Sequence, residues 1–495
     1  MKYFIISLSA LFMSLSQQPI GCGWLAWVSL IPLIHFLYNS ISLKEKVYIS
    51  ILWGIVYHSS ILFWMIFNLG TTKFLGLISL ILATLVLSVN IIFIGILYHL
   101  TSKNKIIKTY YYLPIIWVSI EYLRTFLILG FPWVSIANSQ VHYNILAQNV
   151  EVTGIYGISF WIVLVNVLFY DLYGKFNNRK LTRVIIVFIF PWISGYALYY
   201  LQDKDRLKPI NIVSVQPNIH LNEKRNPKFP NQNIEKLIRV GSTEINENTD
   251  LILFPETALS IMNLYSKSSL KLIKESILDN NISLLTGLNY FEYGFDNERI
   301  NYNSIIHLNS ENMIQSPEIY HKIKLVPLAE RMPLVEFFPS LKSINIGQAN
   351  FEPGDEYKVF NIKNYKIGAM VCYESTFPQL NRNFVNNGAE ILMYFVNDGW
   401  YENPPQPQQH AKQSIYRAIE FRRPIVRCAN TGISQVIDKT GNIIHEIELN
   451  NEGAIAASIS PSSSITFYAK YGDVFAIINV LLLSILLGLY FKRKE

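Results

Sequence analysis

Three side chains, far apart in the chain, have the types that acyl chemistry on a thiol requires. Cys372 closes the apolar run Ile367-Gly368-Ala369-Met370-Val371 and is followed at once by Tyr373-Glu374. Glu256 closes a similar run, Leu251-Ile252-Leu253-Phe254-Pro255. Lys322 stands between them in Tyr320-His321-Lys322-Ile323-Lys324-Leu325-Val326-Pro327. A carboxylate, an ammonium and a thiol at the ends of buried strands can act together as base, charge stabiliser and nucleophile. A thiol, with a free pKa of about 8.5, is a weak nucleophile until it loses its proton. The carboxylate can take that proton, and the ammonium can hold the oxyanion of a tetrahedral intermediate. Taken singly, each residue also has a structural reading: a buried cysteine, a Pro-Glu turn, a solvated lysine. No histidine is near Cys372 in sequence, so a Cys–His arrangement requires the fold to bring His410 to it. The three cysteines, Cys22, Cys372 and Cys428, include no CxxC pair and no Cys/His cluster. Neither a structural zinc site nor a disulfide framework is expected.

The elements that must position these residues are read from apolar runs. Strands are expected at 210–216, 250–255, 283–287, 302–308, 365–372, 390–396, 424–429, 433–438 and 454–459. Most are continuous apolar runs, the signature of sheets covered on both faces. Helices are expected at 231–246, 267–281, 376–387 and 407–422. In the second, Leu270, Leu272, Ile273, Ile277 and Leu278 form a stripe, with Lys271, Lys274 and Glu275 facing out and Asn281 as the stop. Strands alternating with helices predict an α/β layered domain.

That domain is an insertion. The chain is 51% hydrophobic and 16% charged over 495 residues, whereas a soluble domain is about 25% charged. The deficit is confined to residues 1–201 and 474–491; residues 202–473 have ordinary globular composition. Eight candidate membrane spans follow from the requirement for ~20 apolar residues: 3–19, 22–39, 47–69, 74–100, 111–130, 155–174, 183–201 and 474–491. The first has a second reading as a signal peptide, with Pro19-Ile20-Gly21-Cys22 as a cleavage site. Three units are expected: 1–201 with spans one to seven, 202–473 as the α/β domain, and 474–495 as span eight with a basic tail.

Basic residues give the direction. Lys44 and Lys46, then Lys103, Lys105 and Lys108, then Lys175, Arg179, Lys180 and Arg183, then Lys492, Arg493 and Lys494 follow every second span. The alternate loops are poor in charge. The positive-inside rule then places both termini in the cytoplasm and 202–473 outside. Much of the net charge of +7 lies in these loops, so no nucleic-acid partner is expected. Within span five, Glu121 and Arg124 share one helix face; a structural ion pair and a substrate-path role both stand. Gly130-Phe131-Pro132-Trp133 suits the membrane interface.

Three motifs together resemble the nitrilase superfamily of carbon–nitrogen hydrolases. They are Phe254-Pro255-Glu256, then Lys322 with Leu325-Val326-Pro327 and Glu330, and Val371-Cys372-Tyr373-Glu374. With the flanking spans, the chain is similar to the bacterial apolipoprotein N-acyltransferases. Gly130-Phe131-Pro132-Trp133, Asn397-Asp398-Gly399-Trp400, Gln409-His410, Arg417-Ala418 with Glu420, and Arg427 with Asn430-Thr431-Gly432-Ile433-Ser434 fit the same family. The resemblance implies an αββα sandwich on a platform of about eight transmembrane helices. It implies Glu256 as general base, Lys322 as oxyanion stabiliser and Cys372 as the acylated nucleophile. Glu330 is implied as a second essential carboxylate, with Tyr373 and Glu374 as supporting residues and the Tyr373 backbone N–H as an added oxyanion donor. Two departures stand out: Pro327-Leu328-Ala329-Glu330 where the family has Pro-Phe-Gly-Glu, and Lys224-Arg225 where it often has Lys-Trp.

The implied reaction takes an acyl chain from a membrane phospholipid onto Cys372, then passes it to the α-amine of a diacylglyceryl-cysteine at a lipoprotein N-terminus. No cofactor is needed. Keeping water from the thioester calls for a lid. Two loops are candidates, 332–339 with Phe337 and Phe338, and 400–405 with Trp400 and Tyr401; Asn397, His410 and Arg427 are further candidate substrate contacts. The expected setting is the bacterial inner membrane, with the domain on the periplasmic side and the protein a monomer. A membrane-tethered amidase or nitrilase using the same three residues is the nearest alternative. A transporter or sensor with a nonenzymatic binding domain is the second.

Overall fold

The computed structural model describes the chain except for residues 105–106, 127–129, 203–206, 225–229, 312–316, 344–349, 402–404 and 493–495. Lys105, Arg225, Arg493, Lys494 and the 402–404 part of the second candidate lid therefore lie outside the described residues. The chain divides into two compact units. One holds Met1–Asn68, Thr72–Gln202 and Tyr471–Glu495; the other holds Leu69–Thr71 and Asp203–Lys470.

The first unit is helical. Among the described residues, five helical segments are long and apolar enough to cross a bilayer: Leu43–Phe67, Lys73–Thr101, Ile155–Gly174, Asn178–Tyr200 and Val474–Lys492. One of them, Asn178–Tyr200, contains Pro191, which has no N–H for the Val187 carbonyl; that carbonyl accepts instead from Trp161 Nε1 at 2.8 Å, as hydrocarbon surroundings demand. The other three expected spans are shorter than the apolar runs that suggested them. Lys2–Leu15 stops before the turn at Gly21, whose φ is 67°. The segment 23–39 is broken into a 3-10 turn and two short helices, and Leu113–Arg124 has 12 residues. Buried polar side chains fasten helices to neighbouring backbone: Asn166 accepts from Leu30 N at 2.9 Å and donates to Ala26 O at 2.8 Å. Glu121 and Arg124 do not form the ion pair that their spacing allows. Glu121 instead accepts from Trp117 Nε1 (3.3 Å), Ile136 N (3.2 Å) and Ser135 Oγ (3.2 Å).

The second unit is a sandwich of two six-stranded sheets. Its twelve described strands are β1 Ile210–Gln216, β2 Leu251–Ser260, β3 Ser283–Tyr293, β4 Arg299–Leu308, β5 Glu318–His321, β6 Val359–Ile362, β7 Tyr365–Val371, β8 Ile391–Val396, β9 Ile425–Ala429, β10 Ser434–Ile437, β11 Ile443–Ile447 and β12 Gly453–Ile459. The sheet orders are β12-β1-β2-β3-β4-β5 and β11-β10-β9-β8-β7-β6. The centre of each is parallel, β1-β2-β3 in one and β7-β8-β9 in the other, and the outer pairs are antiparallel. Parallel strands are covered on both faces, which is why these six read as continuous apolar runs. The sheets pack face to face: the Cys428 thiol on β9 lies 3.4 Å from Val215 O on β1. Helices 230–242 and 267–276 cover the outside of the first sheet, burying Ile234, Leu237 and Ile273 against Val213, Ile252 and Leu284. Full burial of each such side chain contributes about 1.5–3 kcal/mol. Asn281 ends the second of these stretches in the left-handed conformation, φ 59°. Helices 378–386 and 406–421 belong to the second sheet.

Candidate active site

Glu256 and Cys372 sit towards the carboxyl ends of the parallel strands β2 and β7, where open α/β sheets characteristically place ligands, and Lys322 directly follows the antiparallel edge strand β5. β2 loses register with β3 between Phe254 and Leu259: Phe254 pairs with Thr286 and Leu259 with Leu288. Residues 255–258 therefore bulge opposite the single residue Gly287. A bulge re-aims side chains, and here it turns Glu256 inward, where it is 6% exposed. The next residue, Thr257, takes a φ of 47°. Gly287 is required by this geometry. A Cβ there would lie 2.5 Å from Pro255 O and from Thr257 N, and 2.6 Å from Glu256 Cα. Gly287→Ala is expected to lower stability by about 1–3 kcal/mol through overpacking and to displace Glu256. A lowered thermal midpoint with reduced enzymatic activity checks this.

Around Glu256 the polar contacts converge. Asn303 on β4 donates to Glu256 Oε1 at 2.7 Å and to Glu330 Oε1 at 3.2 Å. Lys322, which follows β5, places Nζ 2.8 Å from both Glu330 oxygens and 3.9 Å from Glu256 Oε1. Glu256 Oε2 has no hydrogen-bond partner among the described residues. Burial pushes the Glu256 carboxyl above its usual range, the Lys322 charge opposing it. Burial disfavours the charged form of Lys322, but Glu330 and Glu256 outweigh it and hold the ammonium firmly protonated. Glu330 also accepts from Val326 N at 2.8 Å, closing its own loop. In that loop the left-handed residue is Leu328, φ 68°, whereas Ala329 is outside that region. The family's missing glycine is thus not at the position that bears the unfavourable backbone.

Cys372 ends β7 and itself takes a left-handed φ of 49°, a conformation that costs a non-glycine residue on the order of 1–3 kcal/mol and clusters at functional sites. It opens a 3-10 turn, Cys372–Thr376, and is half-buried. Burial first, then the Glu256 charge, push its thiol well above the ordinary range, with Lys322 acting the other way. The resting sulfur is therefore a thiol, and attack needs a base. Glu374 fixes the two halves together. Its carboxylate accepts from Val371 N (2.7 Å) at the end of β7, and from Tyr320 Oη (2.7 Å), Ile323 N (2.8 Å) and Lys324 N (3.1 Å) on either side of Lys322. The Tyr373 ring packs edge-on against Phe377.

Beneath the turn lies a polar cluster. His410 Nε2 is 3.1 Å from Cys372 O and 3.0 Å from Ser375 Oγ, and its Nδ1 is 2.8 Å from Asp398 Oδ1. Arg427 Nη2 donates to Asp398 Oδ2 at 2.6 Å. Burial raises the Asp398 carboxyl, but His410 and Arg427 outweigh it and hold it at about 2. Cys372 Sγ, an Asp398 oxygen and a His410 nitrogen lie within 4.8 Å of one another, a donor set that could suit an ion. Both His410 nitrogens and both Asp398 oxygens are already engaged, and the Arg427 guanidinium beside them opposes a cation. Asn397 joins the same region, accepting from Asn430 Nδ2 at 3.2 Å. His410 and Arg427 are thus buried under the nucleophile's turn, and Asn397 is buried beside Asn430. Phe337 and Phe338 are 67% and 58% exposed. Trp400 is half-buried and accepts at its carbonyl from Leu69 N, and Tyr401 N bonds Asp398 O.

A face-to-face sandwich with a carboxylate, an ammonium and a thiol at strand ends defines the class, and the chain belongs to the carbon-nitrogen hydrolase family, whose model matches residues 213–468. Its branch is that of the apolipoprotein N-acyltransferases, whose N-terminal domain matches residues 9–168. The apolipoprotein N-acyltransferase of Geobacter metallireducens is 28% identical, over 100% of this chain and 96% of that protein. That of Thermotoga maritima is 27% identical, over 97% and 92%. Among solved structures, yeast Nit3 of the nitrilase superfamily aligns over 52% of this chain and 93% of its own, at 18% identity and a TM-score of 0.39.

Proposed function

We propose that this enzyme carries an acyl chain from a membrane phospholipid, by way of a thioester on Cys372, to the α-amino group of an N-terminal diacylglyceryl-cysteine. What supports the reading is Lys322 Nζ at 3.9 Å from Glu256 Oε1, with both charges acting on the Cys372 thiol, in a chain that also holds helices of bilayer length. Glu256 takes the thiol proton as Sγ attacks the ester carbonyl, and Lys322 Nζ faces the oxyanion. Collapse forms the thioester, and the Glu256 proton passes to the departing lysophospholipid oxygen. The amine then attacks, Glu256 accepts its proton, an amide forms, and the cysteine sulfur leaves and is reprotonated. Glu330 keeps Lys322 aimed, and Glu374 keeps its loop against the nucleophile.

In this reading residues 202–473 are the catalytic domain on the periplasmic side of a bacterial inner membrane. The short segments 2–15, 23–39 and 113–124 join the five long helices to make eight crossings, with both termini cytoplasmic. The aromatic loop bearing Phe337 and Phe338, with Trp400 and Tyr401, serves as the lipid-facing cover that excludes water from the thioester. The phospholipid is the donor, the diacylated apolipoprotein the acceptor, and the working form a monomer.

The test is incubation of the purified protein with phospholipid and mass spectrometry of its cysteine peptides. An acyl adduct on Cys372 is expected, with lysophospholipid released and no ammonia from amides. An adduct on the buried Cys428 instead, or none, overturns the reading. A pH dependence follows as well. Glu256 accepts a proton only when ionised, and burial raises its pKa. Adduct formation is therefore expected to fall as pH drops through a value above the ordinary glutamate range of about 4.3. An acid limb at or below that range argues against Glu256 as base.

A further inference from the structure

Beside the Glu256–Glu330 centre the sandwich unit carries a cleft of about 360 Å³ that the mechanism above leaves unused. Its lining includes Ser260, Met262, Asn289, Phe291, Arg299 and Asn301, all within Asp203–Lys470. Ligand-binding clefts start at about this size and orient their ligands with a few convergent polar groups. Here those groups are carboxamides with capacity to spare. The Asn289 side chain is exposed and makes no hydrogen bond among the described residues. Asn301 Oδ1 accepts from Arg299 Nε at 2.9 Å, while its Nδ2 donates to none of the described residues. The Arg299 guanidinium lies 4.0 Å from the centre of the Phe291 ring, which fixes the apolar side of the cleft, and Met262 stands exposed at its rim.

The strand register places this cleft on the same face of the sheet as the reacting groups. Asn303 holds Glu256 Oε1 at 2.7 Å and Glu330 Oε1 at 3.2 Å. Across β3 and β4, Asn303 is directly opposite Asn289, and Asn301 is directly opposite Phe291. Opposed residues share a face, as do residues two apart in one strand. Asn289, Phe291, Asn301 and Asn303 therefore stand on one side. Ser260, four residues after Glu256, pairs with Asn289 from β2. A further wall is fastened to both regions: Phe351 N donates to Glu330 O at 2.9 Å, and Glu352 N donates to Asn301 O at 2.8 Å. Phe351 itself lines the cleft. From Asn303 to Asn301 the strand advances ~7 Å, the length of two residues of an extended chain.

We propose that this cleft binds the main chain of the acceptor polypeptide just beyond its N-terminal cysteine, with Asn289 and Asn301 as the residues that grip it. An acceptor whose amine reaches Glu256 presents its next peptide units at the distance of Asn301. A carboxamide offers both N–H donors and an oxygen acceptor, so it pairs with the C=O and the N–H of one peptide unit, the way extended peptides are generally held. Groups that read the main chain are indifferent to side chains, so the cleft accepts varied sequences and rejects an acceptor that has no polypeptide. The inference rests on the acyl-transfer reading.

The test uses the full chain and two acceptors built on the same diacylglyceryl-cysteine, one continuing as a pentapeptide and one ending at the cysteine as its amide. The double variant Asn289→Ala, Asn301→Ala is expected to raise KM for the pentapeptide about 10- to 100-fold at unchanged kcat, as loss of two or three hydrogen bonds does. Its KM for the cysteine amide, and its rate of Cys372 adduct formation from phospholipid, are expected to match wild type. A merely structural role for the two asparagines would move all three together. An unchanged KM for the pentapeptide, or an equal rise for both acceptors, overturns the proposal. A second arm needs no variant. N-methylation of the third and fourth residues of the pentapeptide removes main-chain donors and is expected to raise the wild-type KM about 3- to 10-fold. Equal KM for methylated and unmethylated pentapeptides overturns the proposal, and this arm decides if the double variant does not fold. If the wild type forms no Cys372 adduct, the acyl-transfer reading fails, and native mass spectrometry with the pentapeptide acceptor decides the cleft alone. Retention by wild type and loss from the double variant supports it; equal retention, or none by either, overturns it.

Discussion

Cys372→Ala is expected to abolish N-acylation and the acyl adduct together, a fall of about 10^6-fold, the size seen when a covalent nucleophile is removed. Cys372→Ser separates two contributions. The hydroxyl occupies the same place but holds its proton far more tightly than a thiol. Glu256 is the base in the proposed mechanism, and burial already makes it reluctant to ionise. Serine is therefore expected to attack very slowly, and any oxygen ester that forms is a poorer acyl donor than a thioester. The predicted signature is a trace adduct that accumulates without being passed to the amine. Neither variant should unfold the protein, because residue 372 is half-buried and both replacements inherit the same left-handed backbone. Thermal midpoints within a degree or two of wild type, with no detectable lipoprotein product, are the expected pair of results. Near-normal turnover in Cys372→Ala would leave the mechanism without its intermediate.

The backbone at Cys372 explains why so much buried polar structure lies beneath it. A left-handed cysteine persists only when its surroundings over-determine it. Here Ser375 Oγ and His410 both reach its carbonyl, at 2.8 and 3.1 Å, and Asp398 and Arg427 fix His410 from behind. Glu374 meanwhile ties the preceding strand to the Lys322 loop. The sulfur and the ammonium are thus positioned by one connected frame, as preorganised electrostatic stabilisation requires.

The central strands were legible because parallel strands covered on both faces leave uninterrupted apolar runs. β1 coincides with the expected 210–216, and β7, β8 and β9 lie within a residue or two of expectation. The strands not anticipated, β5, β6 and β11, are all at sheet edges. They have four or five residues and half-exposed patterns such as Glu318-Ile319-Tyr320-His321, too short and mixed to rise above loop. The chemical types Glu256, Lys322, Glu330 and Cys372 were legible from motif and resemblance. Asn303, which joins the two carboxylates, was not, although an amide inside the run 302–308 was a signal. Gly287 could not be read at all, since its need arises from a bulge on the neighbouring strand. Asp398 passed as part of a motif, and its role under Cys372 depends on partners 12 and 29 residues away. In the helical unit, hydropathy located the segments but overran their ends at Leu15 and Arg124. Apolar turns and 3-10 pieces score like helix.

Lys322→Met is expected to lower acyl transfer by about 10^2–10^3-fold, the effect of removing one oxyanion donor, and to destabilise the protein by about 3–5 kcal/mol, the effect of leaving a buried partner unpaired. Methionine keeps most of the volume, so packing is a minor part. What changes is charge: Glu256 and Glu330, 6% and 4% exposed, share Asn303 and lose the cation between them. Without the ammonium, which opposes the effect of burial on Glu256, the Glu256 pKa rises further. A group whose folded pKa lies above its unfolded value contributes stability below the unfolded value and loses it as pH rises through the folded value. The stability gap between wild type and Lys322→Met is therefore expected to be smallest near pH 4 and to widen towards neutrality, and the acid limb of the variant's residual activity is expected to move to higher pH. Thermal midpoints of both proteins across that range, with the pH profile of adduct formation, check both signs at once. A gap independent of pH would mean that Lys322 serves packing, and that its closeness to the two carboxylates is electrostatically idle.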